Sequence, residues 1–207
     1  MGTILLPFGL VIMGYFLGSL PFALWVTRLV KGVDVRNGGS GHITTTNTIR
    51  QAGWIPGIIV FVFDISKGYL PVYMAIHLSQ PDWLIMLVAM MAVVGHCWTI
   101  FAGFRGGMGL AVAGGAILAV SPLGFISGLG FLIALVLLIK HAARGSILTG
   151  FLLALFYWMI GFRGTLLWVG GGLGLVIAIR FFRDWNRKYR ELWLDRENQT
   201  NVKLDAD

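Results

Sequence analysis

Long apolar segments with very few charged residues limit what this chain can fold into. A membrane-spanning helix needs about 20 mostly apolar residues. Only 12% of the residues are charged, against about 25% in a soluble domain, and the mean hydropathy is +0.81. We therefore predict an all-α integral membrane protein with seven transmembrane helices, at 4–26, 54–78, 83–103, 110–121, 122–139, 146–161 and 165–180.

The fourth apolar segment, 110–121, is too short to cross a bilayer as drawn. Its 12 residues reach about 18 Å as a helix, whereas the hydrocarbon core is about 30 Å thick. Either the helix is longer than the apolar run, or the preceding loop dips into the protein. Irregular backbone at that depth requires protein or trapped water to satisfy its polar groups.

The distribution of lysine and arginine predicts the orientation in the membrane. Fourteen of the 16 basic residues fall on one side of the predicted spans: Arg28, Lys31, Arg36, Arg50, Arg105, Lys140, Arg144, Arg180, Arg183, Arg187, Lys188, Arg190, Arg196 and Lys203. The positive-inside rule puts that side in the cytoplasm, with the N-terminus outside and the C-terminus inside. The net charge of +7 then reflects orientation and attraction to anionic lipid, not a nucleic-acid partner.

The chain is predicted to form one membrane domain, a bundle over 1–181 followed by a polar cytoplasmic tail over 182–207. The start, MGTILLPFG, has no basic residue, so we expect a retained span and not a cleaved signal. Cys97 is the single cysteine, which excludes an internal disulfide and a CxxC metal site. We predict no metal and no cofactor, and the residues indicate no oligomeric state.

The first cytoplasmic connection is long and polar, and it contains the stretch RNGGSGHITTTNTIR at 36–50. Most connections have about 4–6 residues, and longer ones tend to be functional or disordered. Glycines let backbone N–H groups converge on an anion, and Ser40, Asn47 and the arginines add donors for phosphate oxygens. The loop is therefore predicted to bind an anion or, alternatively, to be a flexible linker.

Further polar residues interrupt the apolar segments in FDISKGYLP (63–71), GH (95–96), GFRGGMG (103–109) and KHAARGS (140–146). Charge within lipid is costly, so Asp64 and Lys67 indicate a functional site or a mutual ion pair. Glycines before a helix favour an anion, although they are also common where membrane helices pack closely. Ser146 is expected to cap the sixth span.

These motifs, in this order, resemble the acyl-phosphate-dependent glycerol-3-phosphate acyltransferases of bacteria, the PlsY type. The family's first motifs match Gly18–Pro21, Asp34, Arg36, Gly39–Gly41, Thr46, Asn47 and Arg50. Its later motifs match Phe63, Asp64, Lys67, Gly68, Pro71, Gly95, His96, Phe101, Phe104, Gly106, Gly107 and Gly109. The resemblance covers residues from about 14 to 147.

The resemblance implies a seven-span enzyme of the bacterial inner membrane whose active site faces the cytoplasm. Such enzymes transfer an acyl group from acyl phosphate to glycerol 3-phosphate and produce lysophosphatidic acid. The residues implied in catalysis are Ser40, Asn47 and His96, and the general base is either His96 or the phosphate of the substrate itself. Those implied in substrate or phosphate binding are Arg36, Gly39, Gly41, Thr46, Arg50, Asp64, Lys67, Gly106, Gly107, Gly109 and Ser146.

The sequence also departs from the family pattern. The asparagine of GSGN is His42, the next glycine is Thr44, the lysine of GGKG is Met108 and a serine before the sixth span is Ala143; His-Arg-x-Asn after the last span is Ile-Arg-Phe-Phe at 179–182. These departures keep open a paralogue with an altered acceptor, or without catalysis, that binds lipid phosphates. A second alternative is a small transporter, which Asp64 and Lys67 suggest because both lie within an apolar segment.

Overall fold

The computed structural model describes residues 2–186, and the regular structure within this range is helical, as predicted. The α-helices are α1 Gly2–Gly18, α2 Phe22–Lys31, α3 Thr45–Ala52, α4 Trp54–His77, α5 Asp82–Cys97, α6 Leu110–Val120, α7 Pro122–Ile139, α8 Ala142–Met159 and α9 Thr165–Phe182. Short 3-10 turns lie at Val35–Asn37 and Ile100–Ala102. Most of the predicted tail, from 187 to 207, lies outside the described residues.

Six stretches of the described chain are long and apolar enough to cross a membrane, one fewer than predicted. They are Leu5–Lys31, Trp54–His77, Asp82–Ala102, Pro122–Ile139, Ala142–Met159 and Thr165–Phe182. The remaining predicted span is α6, which has only 11 residues. At about 1.5 Å per residue, α6 is about 16 Å long and cannot cross the hydrocarbon core alone.

The loop before α6 folds back against the end of α5. The Gly106 N–H donates to the carbonyl of Cys97 at 3.2 Å, and the Gly107 N–H donates to the carbonyl of His96 at 3.0 Å. Both glycines are buried, and a Cβ at Gly106 would lie 2.0 Å from the His96 oxygen. Of the two alternatives for the short segment, the structure shows the second: the loop enters the protein.

A break between α1 and α2 interrupts the first predicted span. Pro21 disfavours a helical conformation in the residue before it, so the helix stops there. Two side chains satisfy the carbonyls that this break leaves without intrahelical donors: the Thr99 hydroxyl donates to Ser19, and the Lys67 ammonium donates to Leu20 at 2.9 Å. The break therefore persists because protein groups replace the missing helical hydrogen bonds.

Glycines bring the backbones of α4 and α6 into direct contact. A Cβ at Gly68 would lie 2.0 Å from the carbonyl oxygen of Val112, and a Cβ at Gly115 would lie 2.0 Å from that of Ile65. Small residues allow this approach in membrane helices, where packing rather than water exclusion drives association. The two reciprocal contacts hold the short α6 inside the bundle.

Replacing Gly68 by Ala should therefore destabilise the protein, because neither backbone can move away from the added methyl group. We expect a loss of about 1–3 kcal/mol, as for other overpacked sites. The matched control is Gly130→Ala in α7, where a Cβ would meet nothing within 4 Å. Thermal unfolding in detergent should show a lower Tm for Gly68→Ala and an unchanged or higher Tm for Gly130→Ala. Equal melting temperatures would contradict this account of the packing.

Candidate active site

One amide side chain, Asn47, organises the first cytoplasmic loop. It lies in the first turn of α3 and is fully buried. Its Nδ2 donates to the carbonyls of Val35, Gly38 and His42 at 2.8, 3.1 and 3.0 Å. Its Oδ1 accepts from the Ser40 N–H at 3.1 Å. A polar loop beside the membrane thus obtains from one side chain the hydrogen bonds that regular structure would otherwise supply.

The glycine at position 39 is required by this arrangement. Gly39 has a φ of +56°, and a Cβ there would lie 2.1 Å from the Oδ1 of Asn47. Any other residue would be strained and would push the amide away from the loop. The conformation of the loop therefore explains why a glycine occupies position 39.

Arg36 links the first loop to the segment after α5. Its guanidinium donates to both carboxylate oxygens of Asp34, at 3.0 and 2.7 Å, and to the carbonyl of Ala102 at 3.1 Å. The hydrogen bonds from Arg36 lower the pKa of Asp34 well below its usual value, and Asp34 in turn raises the pKa of Arg36. Since a carboxylate with a lowered pKa contributes its stability above its ordinary pKa, this link keeps its full strength above about pH 4.

Two further contacts hold the second glycine-rich segment, and one of them joins it to the first loop. The Ile43 N–H donates to the carbonyl of Gly106 at 3.4 Å. The Nε of Arg180, near the end of α9, donates to the carbonyl of Gly107 at 2.9 Å. The segments around Ser40 and Gly107 thus lie side by side at the same end of the bundle.

A cavity of about 460 Å³ opens beside these segments. Its polar end is lined by residues from the first loop, α3, α4, α5 and α8: Ser40, His42, Thr44, Thr45, Thr46, Arg50, Asp64, His96 and Ser146. Its other walls are apolar and come mainly from α6 to α9: Ala113, Gly114, Ile117, Phe125, Leu129, Leu132, Leu153 and Leu173. The volume is within the usual range for small-molecule sites, about 300–1,000 Å³.

The spacing of lining residues along the helices gives the depth of the cavity. On α8 the lining runs from Ser146 to Leu153, and on α6 it runs from Leu110 to Ile117. Seven residues of α-helix correspond to about 10 Å. The cavity therefore extends about 10 Å from its polar end into the apolar interior of the bundle.

A buried ion cluster lies beside the polar end. Lys67 Nζ is 2.9 Å from Asp64 Oδ1, and His96 Nδ1 is 3.8 Å from the same oxygen. All three side chains are at most 5% exposed. Lys67 also donates to the Leu20 carbonyl, so its charge is held by an anion and a carbonyl dipole. This pairing supplies the structural explanation for the charges that had suggested a transporter.

The predicted site residues divide into two groups in the structure. Those that border the cavity are Ser40, Thr46, Arg50, Asp64, His96, Gly109 and Ser146. Those that do not line it are Arg36, Gly39, Gly41, Asn47, Lys67, Gly106 and Gly107, whose hydrogen bonds and close contacts hold the loops and the ion cluster in place. The roles assigned to both groups stay predictions.

The expected capping role of Ser146 is wrong. Helix α8 begins at Ala142, and its cap is His141, whose side chain accepts from the Arg144 N–H. Ser146 is one turn inside the helix, is 2% exposed and borders the cavity. The residues before 146 are charged or small, so the apolar run in the sequence begins later than the helix does.

Sequence reasoning missed several residues at the polar end of the cavity. Asp184 was not considered, yet its Oδ2 lies 3.1 Å from the Nε2 of His42. No local signal indicates this contact, because Asp184 lies beyond the end of α9 and His42 is 142 residues away in the chain. Thr45 was also missed, and Met108 was noted only as a departure from a motif, although both border the cavity.

Comparison with known proteins decides the family. The model of the glycerol-3-phosphate acyltransferase family matches residues 8–191. The chain belongs to this family. Glycerol-3-phosphate acyltransferase 2 of Moorella thermoacetica is 41% identical over 136 residues, 66% of this chain and 70% of that protein. The glycerol-3-phosphate acyltransferase of Thermotoga petrophila is 38% identical over 192 residues, 92% of this chain and 95% of that protein.

Solved structures agree with these matches. The crystal structure of PlsY (YgiH), an integral membrane glycerol 3-phosphate acyltransferase, in its glycerol 3-phosphate form has a TM-score of 0.76 and 33% identity, and the match covers 87% of this chain and 90% of that one. The lysophosphatidic acid form has a TM-score of 0.75 and 32% identity. The family predicted from the motifs is thus confirmed, and the chain is a multi-pass membrane acyltransferase.

The buried hydrogen bonds of Asn47 predict that Asn47→Ala destabilises the protein and abolishes most activity. The Ser40 N–H would lose its bond to the Asn47 Oδ1, and a buried group left unpaired costs about 1–3 kcal/mol, whereas the carbonyls that Asn47 contacts keep donors from Gln51 or the Thr44 N–H. The matched control is Asn37→Ala, since Asn37 is exposed in the same loop. Thermal unfolding and acyltransferase rates in detergent should separate the two variants. Wild-type stability in Asn47→Ala would contradict the role given to this side chain.

Proposed function

We propose that this protein transfers an acyl group from acyl phosphate to glycerol 3-phosphate and releases lysophosphatidic acid and phosphate. The observation that supports this reaction best is a single cavity with a polar, cationic end and an apolar interior. We further propose one domain in the bacterial inner membrane, with seven crossings, the N-terminus outside and the C-terminus in the cytoplasm. In that topology α6 and the loop before it form the fourth crossing along the chain, in addition to the six long apolar stretches, and the active site faces the cytoplasm.

The polar end offers suitable groups for the phosphate of the acceptor. Arg50 and the hydroxyl of Ser40 border the cavity, as do the threonines at the start of α3. The Thr45 hydroxyl is buried without a hydrogen-bond partner among the described residues, so it has capacity for a ligand. The N-terminus of a helix and a guanidinium both favour an anion, and charge-assisted hydrogen bonds are about twice as strong as neutral ones.

The apolar interior suits the hydrocarbon tail of the acyl donor. Leu153 from α8, Phe125 and Leu129 from α7 and Ile117 from α6 surround this part of the cavity. A tail placed there leaves its carboxyl carbon at the polar end, next to the acceptor. The acyl group and the glycerol hydroxyl then meet where the apolar and polar linings join.

The reaction proceeds by attack of the glycerol hydroxyl oxygen on the acyl carbonyl carbon. A new ester bond forms, the bond between that carbon and the phosphate oxygen breaks, and phosphate leaves. Acyl phosphate is already activated, so no covalent enzyme intermediate is required. Arg50 and the hydroxyls that border the polar end of the cavity stabilise the charge that develops on the leaving phosphate.

Labelled-acyl transfer by the purified, reconstituted protein tests this proposal directly. A panel of phosphorylated and non-phosphorylated alcohols would be offered together with acyl phosphate. The expected result is product only with glycerol 3-phosphate or a close phosphorylated analogue. Preference for an unphosphorylated alcohol would indicate an altered acceptor, and absence of transfer with every alcohol would indicate a non-catalytic protein; either result would overturn the proposal.

Arg50→Gln should lower kcat/KM for glycerol 3-phosphate by about 10- to 150-fold. This range corresponds to a charge-assisted hydrogen bond of roughly 1.5–3 kcal/mol. Arg105→Gln is the matched control, because Arg105 is exposed and belongs to the same predicted cytoplasmic side. Steady-state rates at varied acceptor concentration would provide the comparison. A similar loss in both variants would indicate a general effect of surface charge.

Leu153→Phe should reduce transfer from long-chain acyl phosphates more than from short-chain ones. Leu153 is buried and lines the apolar interior about 10 Å from the polar end, so a larger side chain shortens the space for the tail. Leu155→Phe on the same helix is the control, because Leu155 is 50% exposed. Competition between donors of different chain length would measure the shift. An unchanged preference for chain length would contradict the placement of the acyl tail in this part of the cavity.

A further inference from the structure

Helix α2 presents apolar and cationic side chains together on its outer face. Trp25 and Leu29 are 46% and 88% exposed, and Arg28, in the last turn with Lys31, has a side chain that is 54% exposed. Residues three or four apart share a helical face, so Trp25, Arg28 and Leu29 lie together. Such a mixture is typical of a helix at a membrane interface, where apolar groups enter the lipid and cations meet phosphates.

The first turn of α4 adds a second apolar surface at a similar depth. The rings of Phe22 and Phe63 stack where α2 passes α4, with centroids 4.5 Å apart. Counted from this contact, Leu29 lies about 10 Å along α2 and Trp54 about 14 Å back along α4. Helix α2 leads into the first loop, and α4 begins directly after α3, so both helix ends lie beside that loop. Trp54 is 72% exposed, which makes the apolar surface continuous in depth with Leu29.

Arg28 retains donors for a second anion. Its Nη2 donates to the Oδ2 of Asp34 at 2.8 Å, and this is the one acceptor it contacts within residues 2–186. A guanidinium has five N–H donors, so most of them stay available. Asp34 does not depend on Arg28, because Arg36 donates to it from Nε, Nη2 and the backbone N–H at 2.7–3.0 Å. The first loop therefore keeps its ion pair when Arg28 turns toward another anion.

The balance of charge at this end of α2 favours an anion. Arg28, Arg36 and Lys31 lie close in the chain to a single carboxylate, Asp34. Lys31 is exposed and has no ion-pair partner in the part of the chain that the structure describes. Cations in this position are attracted to anionic lipid, and the attraction is screened by salt. A phospholipid with a net negative headgroup matches both the cations and the apolar surface beside them.

We propose that the α2 corner, formed by Trp25, Arg28, Leu29, Lys31 and Trp54, binds one anionic phospholipid of the surrounding membrane. Its phosphate accepts charge-assisted hydrogen bonds from Arg28 and Lys31, and its acyl chains lie against the apolar side chains. None of these five residues lines the cavity, so the lipid site is separate from the site of acyl transfer. The inference rests on the proposed topology, which puts this corner in the cytoplasmic leaflet, and does not require acyl transfer.

Thermal unfolding in detergent with added lipid tests the proposal without measuring activity. Phosphatidylglycerol should raise the Tm of the wild-type protein by about 2–4 °C relative to the same amount of phosphatidylcholine, because a ligand that binds only the folded state stabilises it. Most of this difference should be lost in Arg28→Gln/Lys31→Gln and at high salt. No difference in the wild-type protein, or an equal difference in the double variant, would overturn the proposal.

A double variant with the same loss of charge elsewhere is the matched control. Arg105→Gln/Lys140→Gln removes two exposed cations from the same predicted cytoplasmic side, and it should keep the wild-type difference. A loss as large as that in Arg28→Gln/Lys31→Gln would indicate attraction to overall charge and would overturn the site. Lys31→Gln alone provides a second measurement if the double variant does not fold. It should lose part of the difference, and a full wild-type difference would exclude Lys31 from the site.

Inorganic phosphate distinguishes a lipid headgroup from a free anion. Any rise in Tm that inorganic phosphate causes should be the same in the wild-type protein and in Arg28→Gln/Lys31→Gln, because phosphate lacks the acyl chains that hold a lipid at the α2 corner. A rise that disappears in the double variant would indicate an anion site without lipid and would overturn the assignment. A protein that phosphatidylglycerol stabilises but that transfers no acyl group would instead overturn the proposed function and leave this inference intact.

Discussion

The need to pair every backbone polar group near the bilayer explains most of the architecture of this protein. Asn47 satisfies four backbone groups of the first loop, and side chains of Thr99 and Lys67 satisfy the carbonyls at the break between α1 and α2. The loop before α6 pairs with the end of α5 in the same way. Irregular segments can therefore lie at the membrane face as rigid walls of a site.

The hydrogen-bonded loops bring a polar lining and an apolar lining together in one cavity. The polar loops and the short α6 meet at one end of the bundle, and the longer helices α7, α8 and α9 continue the same cavity with apolar side chains. A substrate that has an anionic head and a hydrocarbon tail fits such a cavity in one orientation.

Much of the helical fold was predictable from the sequence, because the length of each apolar segment can be counted directly along the chain. The motifs also predicted the family and the residues Ser40, Arg50 and His96 that border the cavity. The break in the first span was not predicted because the apolar run continues past Pro21, and the start of α8 was not predicted because charged and small residues precede Ser146. The pairing of His42 with Asp184 spans 142 residues, and no local pattern could indicate it.

Helix α7 forms one wall of the apolar cavity, and its buried residues are Gly124 and Gly128. Its large side chains Leu123, Ile126, Ile133 and Leu138 are exposed on the bundle surface. On this side a single helix therefore separates the cavity from the surrounding lipid. A hydrocarbon tail that moves past α7 between the lipid and the cavity stays in apolar surroundings and does not cross water.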